Sequence, residues 1–400
     1  MPSTTSELET VPAPAAAQTG AGLSRRVCTH CVMDTSDPDI TFDETGRCSH
    51  CAHYERRAQA DLFTGEEGRR RLEAVVGAIK RDGRGKTYDC LIGVSGGLDS
   101  SYVAYLVKQQ GLRPLAVHLD NGWNSELAVN NVSNLLTKLG IDLYTHVMDW
   151  EAFRDLQLAF LKAGVANSEA PTDHAIVALL YRLAAREGVR YIISGSNVVG
   201  EAILPASWGY DNKDWRQIRA IHRRFGTIPL ANYPHLTAWH FAYYTFVRRI
   251  RMVRILNYVP YVKKDAMALM ARELAWRDYG GKHHESLYTR FFQAYILPRK
   301  FGIDKRRAHF STLICSGQMT RDEALRKLQE PVCPPDQMQS DREFVAKKLD
   351  LSLAEFDEIL ARPNKTYRDY PSNRFIFDKL GVLVRLAKRV AVGSERKAAL

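Results

Sequence analysis

The stretch LIGVSGGLDSSYVAYL, residues 91–106, limits the fold of this chain more than any other. An apolar run stops at two glycines, and a run with helical spacing starts at once. Without a Cβ, the backbone at Gly96 and Gly97 can lie against phosphate oxygens. The N–H groups that open the following helix can donate to those oxygens, together with the hydroxyls of Ser95, Ser100 and Ser101. Asp99 adds a carboxylate able to hold Mg2+ on a leaving pyrophosphate. No Gly-Lys-Ser/Thr follows, so this is not a Walker A loop. A plain strand–turn–helix junction also tolerates paired glycines, but it has no need of the Ser-Gly-Gly-x-Asp-Ser order.

The pattern then repeats. Short apolar runs at 89–94, 113–119, 143–147 and 191–194 read as buried strands, and helical spacing fills 99–110, 125–139, 151–163 and 173–187. This alternation predicts an α/β fold, a parallel sheet with helices on both faces. The nucleotide-binding domain is expected over 85–206, with a mainly helical substrate and partner region over 207–400. One charged helix is expected over about 54–80, closed by a turn at 81–86. Trp239, Tyr243, Phe246, Ile250, Val253 and Asn257 follow helical spacing, with Arg248, Arg249, Arg251 and Arg254 between them. That spacing predicts a core-facing helix with a solvated basic side; a membrane-surface or RNA-binding helix is the alternative. Thr320-x-x-Glu323 and Ser352-x-x-Glu355 read as capping boxes.

Upstream, Cys28-x2-Cys31 and Cys48-x2-Cys51 are separated by sixteen residues. Two tight CxxC turns can each present two sulfurs, and the spacing is that of a tetrathiolate zinc site over 25–55. An iron–sulfur cluster is the competing reading. Four protein ligands leave no open position, so such a zinc is structural. Cys90, Cys315 and Cys333 are scattered and read as inert thiols.

Composition sets the compartment. Residues 1–24 are biased to Ala, Pro, Thr and Ser and read as a disordered tail without the features of a secretory signal. No apolar run reaches the roughly 18 residues that span a bilayer. The expected protein is cytoplasmic, where structural disulfides are disfavoured. A net charge of +11 suits phosphate-bearing partners.

SGGLDS resembles the PP-loop of the ATP pyrophosphatases, the adenine nucleotide alpha hydrolase-like fold, which split ATP between its α and β phosphates. The resemblance implies nucleotide contacts from HLDNGW, with His118, Asp120 and Asn121, and from the loop Gly195, Ser196 and Asn197. The chain is further similar to the N-acetyl sugar amidotransferases through CTHCVMD, the CxxC pair, SGGLDSSYVAY, VHLDNGWNSE, TDHAI, ISGSN and residues 280–314. That family implies conversion of a nucleotide-sugar's N-acetyl group to an acetamidino group, in surface polysaccharide or lipopolysaccharide biosynthesis. It also implies ATP, Mg2+ and a separate glutaminase that supplies ammonia. In keeping with a separate glutaminase, the chain begins Met1-Pro2, which offers no cysteine at position 2.

The block LPRKFGIDKRRAH, residues 297–309, concentrates cations among apolar residues. Lys300 and Lys305 are the leading candidates for a catalytic clamp on pyrophosphate or sugar phosphates; a solvated basic face is the plain alternative. His283, His284 and Glu285 could bind sugar hydroxyls or relay protons, or lie on the surface. Asp211 and Asp214 are candidates to face sugar or Mg2+. A tRNA thiolase, or another PP-loop adenylating ligase, is the rival enzyme. A nucleotide-sensing scaffold is the rival non-enzyme. No nucleic acid partner is expected.

Overall fold

A computed structural model describes residues 25–281 and 284–374; the expected tail and His283 lie outside them. Strands β1 (Cys90–Gly93), β2 (Pro114–Asp120), β3 (Asp142–Val147), β4 (Tyr191–Ile193) and β5 (Arg251–Val253) form one sheet. Their order is β3-β2-β1-β4-β5 and every neighbouring pair is parallel. Helices α1 (Ser49–Asp61) and α2 (Gly65–Asp82) precede it. The crossovers carry α3 (Leu98–Gln109), α4 (Glu126–Leu139), α5 (Trp150–Ala163) and α6 (Ala170–Arg186). Between β4 and β5 lie α7 (Val198–Glu201), α8 (Trp215–Phe225) and α9 (Ala238–Ala242). The rest is helical: α10 (Lys263–Leu274), α11 (Leu287–Phe291), α12 (Lys305–Cys315), α13 (Arg321–Gln329), α14 (Pro335–Lys348) and α15 (Leu353–Ala361). No described helix is long and apolar enough to cross a membrane.

The sheet is covered on both faces, as its uninterrupted apolar strands require. Cys90 and Ile92 of β1 join Ile79, Val103, Val107 and Met270 in one core. Leu91, pointing the other way, joins Ala178, Leu183 and Ile192 beneath α6. A third core packs the cysteine segment with Phe160, Phe291, Phe292 and Phe356. The amino-terminal unit is therefore continuous with the carboxyl-terminal helices.

Two expectations about local structure are corrected. The single charged helix is two helices, broken at 62–64, where Phe63 N–H donates to Asn257 O (2.8 Å) and Gly65 takes φ +63°. The helix expected through Trp239–Asn257 is also absent. A short helical segment of α9 and a π-helical turn (Tyr243–Val247) stops there, and Arg249 adopts φ 57°. Ile250 then enters the core and residues 251–253 join β4, with Arg251 N–H donating to Arg190 O (2.8 Å). Two unlike elements in series happened to share one spacing. Ser352 and Glu355 do form a reciprocal capping box, whereas Thr320 caps Glu323 N–H with its hydroxyl (3.2 Å).

Candidate active site

The chain leaves β1 toward β2 and β3 on one side, and returns to β4 and β5 on the other. The crevice at such a switch point, outside the carboxyl ends of the strands, is where open α/β sheets bind ligands. Ser95–Ser101 occupies it. Gly96 takes φ +83°, and a Cβ there would lie 2.6 Å from Ala128 O, so only glycine fits. Ser95 Oγ accepts from Gly97 N–H (3.2 Å) and lies 3.3 Å from Ser100 Oγ, which donates to Gly97 O (3.0 Å). Ser101 Oγ is fully buried with no hydrogen-bond partner. The N-terminus of α3 already attracts oxygen: Leu98 N–H donates to the Tyr279 hydroxyl (3.1 Å). That environment, with glycine backbone and helix N–H groups together, fits a phosphate chain. Asp99 accepts from the Tyr261 hydroxyl. Burial, reinforced by the Asp99 carboxylate, pushes the Tyr261 phenol well up, so it stays a donor.

Two neighbouring loops close on this one. His118 Nδ1 donates to Val94 O (2.8 Å), leaving Nε2 to accept from Asn124 (3.1 Å). Asp120 accepts from Gly122 N–H (2.9 Å), and buried Asn121 spans Trp123 N–H (3.2 Å) and Thr172 Oγ1 (3.2 Å). These side chains shape the turn after β2. An open groove of about 530 Å³ runs from His118, Asp120 and Asn124 along α4 and β3. After β4, a Cβ on Gly195 would come within 3.2 Å of the Asp99 carbonyl carbon and Ser100 N. Asn197 caps α7 through Gly200 N–H (2.7 Å), while Ser196 N–H donates to Ser194 Oγ (3.1 Å).

The distant carboxyl-terminal segment completes the wall. Asn124 and Ser286 form an isolated bridge; Ser125 N–H donates to Glu285 O (2.9 Å) and Leu287 N–H to Trp123 O (2.9 Å). Glu285 Oε1 and the Tyr279 hydroxyl both lie 3.2 Å from where a Cβ on Gly97 would be. Trp276 Nε1 donates to Gly96 O (3.0 Å). Tyr261, Trp276 and Tyr279 carried no sequence signal, because their relation to the loop exists only after folding.

The other candidates are dispersed. Lys305 lies 3.4 Å from Glu169 Oε2, which also receives Gln293 (3.5 Å), three residues before Thr172. Lys300 instead donates to the carbonyls of Leu360 (2.9 Å) and Arg362 (2.6 Å), behind α15. Asp214 is buried and saturated, capping α8 and accepting from Tyr210 (2.7 Å) and Asn373 N–H (2.6 Å). Asp211 is exposed and accepts from Lys213 N–H (3.0 Å).

The four cysteines converge. Sγ separations are 3.8 Å for Cys28–Cys51, 3.6 Å for Cys31–Cys48 and 3.7 Å for Cys48–Cys51, all at buried residues. A tetrahedron of Zn–S bonds of about 2.3 Å has edges of about 3.8 Å, so the set fits zinc. Backbone N–H groups of Cys31 (3.4 Å) and Cys48 (3.2 Å) point at Cys28 Sγ, as a thiolate requires. Cys315 is no isolated thiol: its Sγ lies 3.9 Å from Cys51 Sγ. One turn of α12 brings it there, which spacing along the sequence does not reveal.

Residues 285–384 match the family described as LPS biosynthesis protein WbpG-like, C-terminal domain. Among curated proteins, the tRNA(Ile)-lysidine synthase of Chlamydia pneumoniae is 35% identical over 71 residues. That match covers 17% of this chain and 22% of the relative, so the chain spans under a quarter of the relative's length. Among solved structures, NMN synthetase from Francisella tularensis has a TM-score of 0.27 at 19% identity, covering 34% of this chain and 57% of that one. The NH3-dependent NAD synthetase from Campylobacter jejuni has a TM-score of 0.28 at 17% identity, covering 39% and 72%. Residues 285–384, a quarter of the chain, are thus similar to the WbpG-like C-terminal domain, and the SGGLDS loop stands at the carboxyl end of β1 in a parallel sheet, as a PP-loop does.

Proposed function

We propose that this chain is an ATP-dependent amidotransferase of surface polysaccharide biosynthesis, converting the N-acetyl group of a nucleotide-sugar to an acetamidino group. The observation that carries the reading is the attachment of Glu285–Leu287 to the turn after β2, beside the phosphate loop. The region matched to lipopolysaccharide biosynthesis thereby walls the nucleotide crevice, where a sugar would meet the α-phosphorus.

The acetamido oxygen attacks the ATP α-phosphorus, pyrophosphate leaves and the amide N–H proton is released. The resulting O-adenylyl imidate has a far better electrophilic carbon than an amide. Ammonia adds to that carbon, AMP departs with the former amide oxygen, and the amidine remains. Ser95, Ser100 and the loop N–H groups hold the phosphates, while Lys305, paired with Glu169, is the cation offered to the developing charge. Asp99 would hold Mg2+, which would supply positive charge against the leaving pyrophosphate. Cys28, Cys31, Cys48 and Cys51 would hold a zinc with no open position, which would be structural. Water must be excluded, since hydrolysis of the imidate wastes ATP.

Ammonia comes from a separate glutaminase. Cys90 and Cys333 are buried with thiols pushed up by burial, and Cys315 sits against the cysteine cluster. None of these settings suits a nucleophile. The test offers ATP, Mg2+ and a panel of nucleotide-sugars with either ammonium or glutamine, reading pyrophosphate and amidine. Product with ammonium alone is expected. Product from glutamine without a partner removes the glutaminase. Pyrophosphate release only with tRNA replaces this reading with a tRNA ligase.

A further inference from the structure

The segment Ala238–Val247 presents a face the active site does not use. Trp239, Tyr243, Phe246 and Val247, at positions i, i+4, i+7 and i+8, are 84%, 46%, 59% and 66% exposed. Its opposite side is anchored by Phe241 and Tyr244, whose rings lie 5.4 and 6.1 Å from Tyr181. The apolar ridge is thus held outward by a packed inner side.

Its charge is one-sided. From residue 215 to 264 there is no Asp or Glu, while Arg216, Arg219, Arg223, Arg224, Arg248, Arg249, Arg251, Arg254, Lys263 and Lys264 lie in that span. Arg248 and Arg249 are exposed directly beside Val247. Arg249 holds φ 57°, a left-handed position that favours glycine or asparagine, at the end of the helical segment. A cation is displayed there despite an unfavourable backbone.

We propose that this face docks on an anionic lipid surface. The ridge enters the headgroup boundary, with Trp239 and Tyr243 at headgroup level and the arginines on lipid phosphates. The occupant must be anionic and must accept apolar side chains. A second copy of the same face brings like charges together. Residues 375–400 carry Lys379, Arg385, Lys388, Arg389, Arg396 and Lys397 against Asp378 and Glu395, again the same sign. Single-stranded RNA is anionic, but bases stack on aromatic platforms and Val247 offers no stacking face.

The test is flotation of the full chain with phosphatidylcholine vesicles, with or without phosphatidylglycerol. Binding is expected only with phosphatidylglycerol, and should weaken as salt is added. The double variant Trp239→Ser/Phe246→Ser should lose it, with ATP-dependent pyrophosphate release retained. Arg249→Gly should weaken binding about fivefold without lowering Tm, because glycine is at ease at that φ. Absence of binding, equal binding to both vesicles, or full binding by the double variant overturns the proposal. Retention of single-stranded RNA in place of vesicles, lost in the same variants, overturns it in favour of a nucleic-acid face.

Discussion

Arg307 on α12 is fastened to Asp34 beside the cysteine cluster: Nε lies 3.1 Å from Oδ2 of a carboxylate with no solvent exposure, and Nη1 donates to Val32 O (2.8 Å). Ser311 Oγ accepts from Val32 N–H (3.1 Å), and Arg321 on α13 donates to the carbonyls of Cys28 (3.0 Å) and Cys31 (3.2 Å). Lys305 begins this same helix, and Thr312 Oγ1 accepts from Ile203 N–H (3.1 Å) after α7. The cysteine unit thereby anchors α12, which in turn holds the chain that follows α7.

Removing Arg307 should therefore be severe. Arg307→Ala leaves the buried Asp34 carboxylate with Ser36 on Oδ1 and only the more distant cation of Arg25 (3.8 Å) near Oδ2. Breaking a buried pair from one side costs about 3 kcal/mol or more. Denaturant unfolding should show that loss, and Arg307→Lys should recover only part, lacking a second donor for Val32 O. Equal stability of Arg307→Ala and wild type would show that Arg307 does not anchor α12.

Zinc should be present at one ion per chain by elemental analysis. Chelation, or Cys31→Ser, should lower Tm by roughly 10 °C, because a closed site adds its binding energy to folding. Pyrophosphate release should fall in parallel with the folded fraction rather than before it. Iron with visible absorbance, or an unchanged Tm after chelation, goes against a structural zinc.

In the phosphate loop, Asp99→Asn should abolish pyrophosphate release and leave Tm nearly unchanged, since the amide still accepts from Tyr261. Ser95→Ala should act in the same direction. Tyr261→Phe separates the roles: loss of the donor frees Asp99, so a smaller defect with a shifted Mg2+ requirement is expected. Full turnover by Asp99→Asn would remove the PP-loop chemistry from this chain.

The two lysines should part company. Lys305→Ala should lower turnover by roughly 10² if its charge acts in the transition state. A change confined to KM would assign it to ground-state binding. Lys300, tied to the carbonyls of Leu360 and Arg362, should show mainly a stability loss of about 1 kcal/mol. A turnover defect at full stability in Lys300→Ala would restore it to the crevice.

The phosphate loop was legible because its chemistry is local: two glycines, a strand before and a helix after. The four cysteines were legible because CxxC turns are local too. Glu285 was visible only as one member of a polar run, since its approach to Gly97 depends on pairing with a turn 160 residues earlier. β5 was not legible at all. Arg251-Met252-Val253, three residues set among arginines, is too short to read as a strand, and only the edge of β4 gives it its partners. Charge density along the sequence singles out Lys300 and Lys305 but says nothing about which carbonyl or carboxylate each one finds.

His174, in the TDHAI run, sets a pH dependence of stability. It is 1% exposed, Nδ1 donates to Asn212 O (2.7 Å), and Nε2 accepts from Leu236 N–H (3.0 Å). Both ring nitrogens are used, and the pattern holds only for the neutral ring. Burial pulls its pKa down to about 4, against about 6.5 in the unfolded chain. Between those values the unfolded chain binds the proton and the folded chain does not, so acid favours unfolding. Stability from this residue is complete above about pH 6.5 and falls through that window by about 3 kcal/mol. Below about pH 4 both states are protonated and the slope ends. His174→Gln should lower stability at pH 7 yet flatten the dependence between about pH 4 and 6.5. Denaturant midpoints measured across that range test it, and an unchanged slope in His174→Gln would assign the acid sensitivity to other groups.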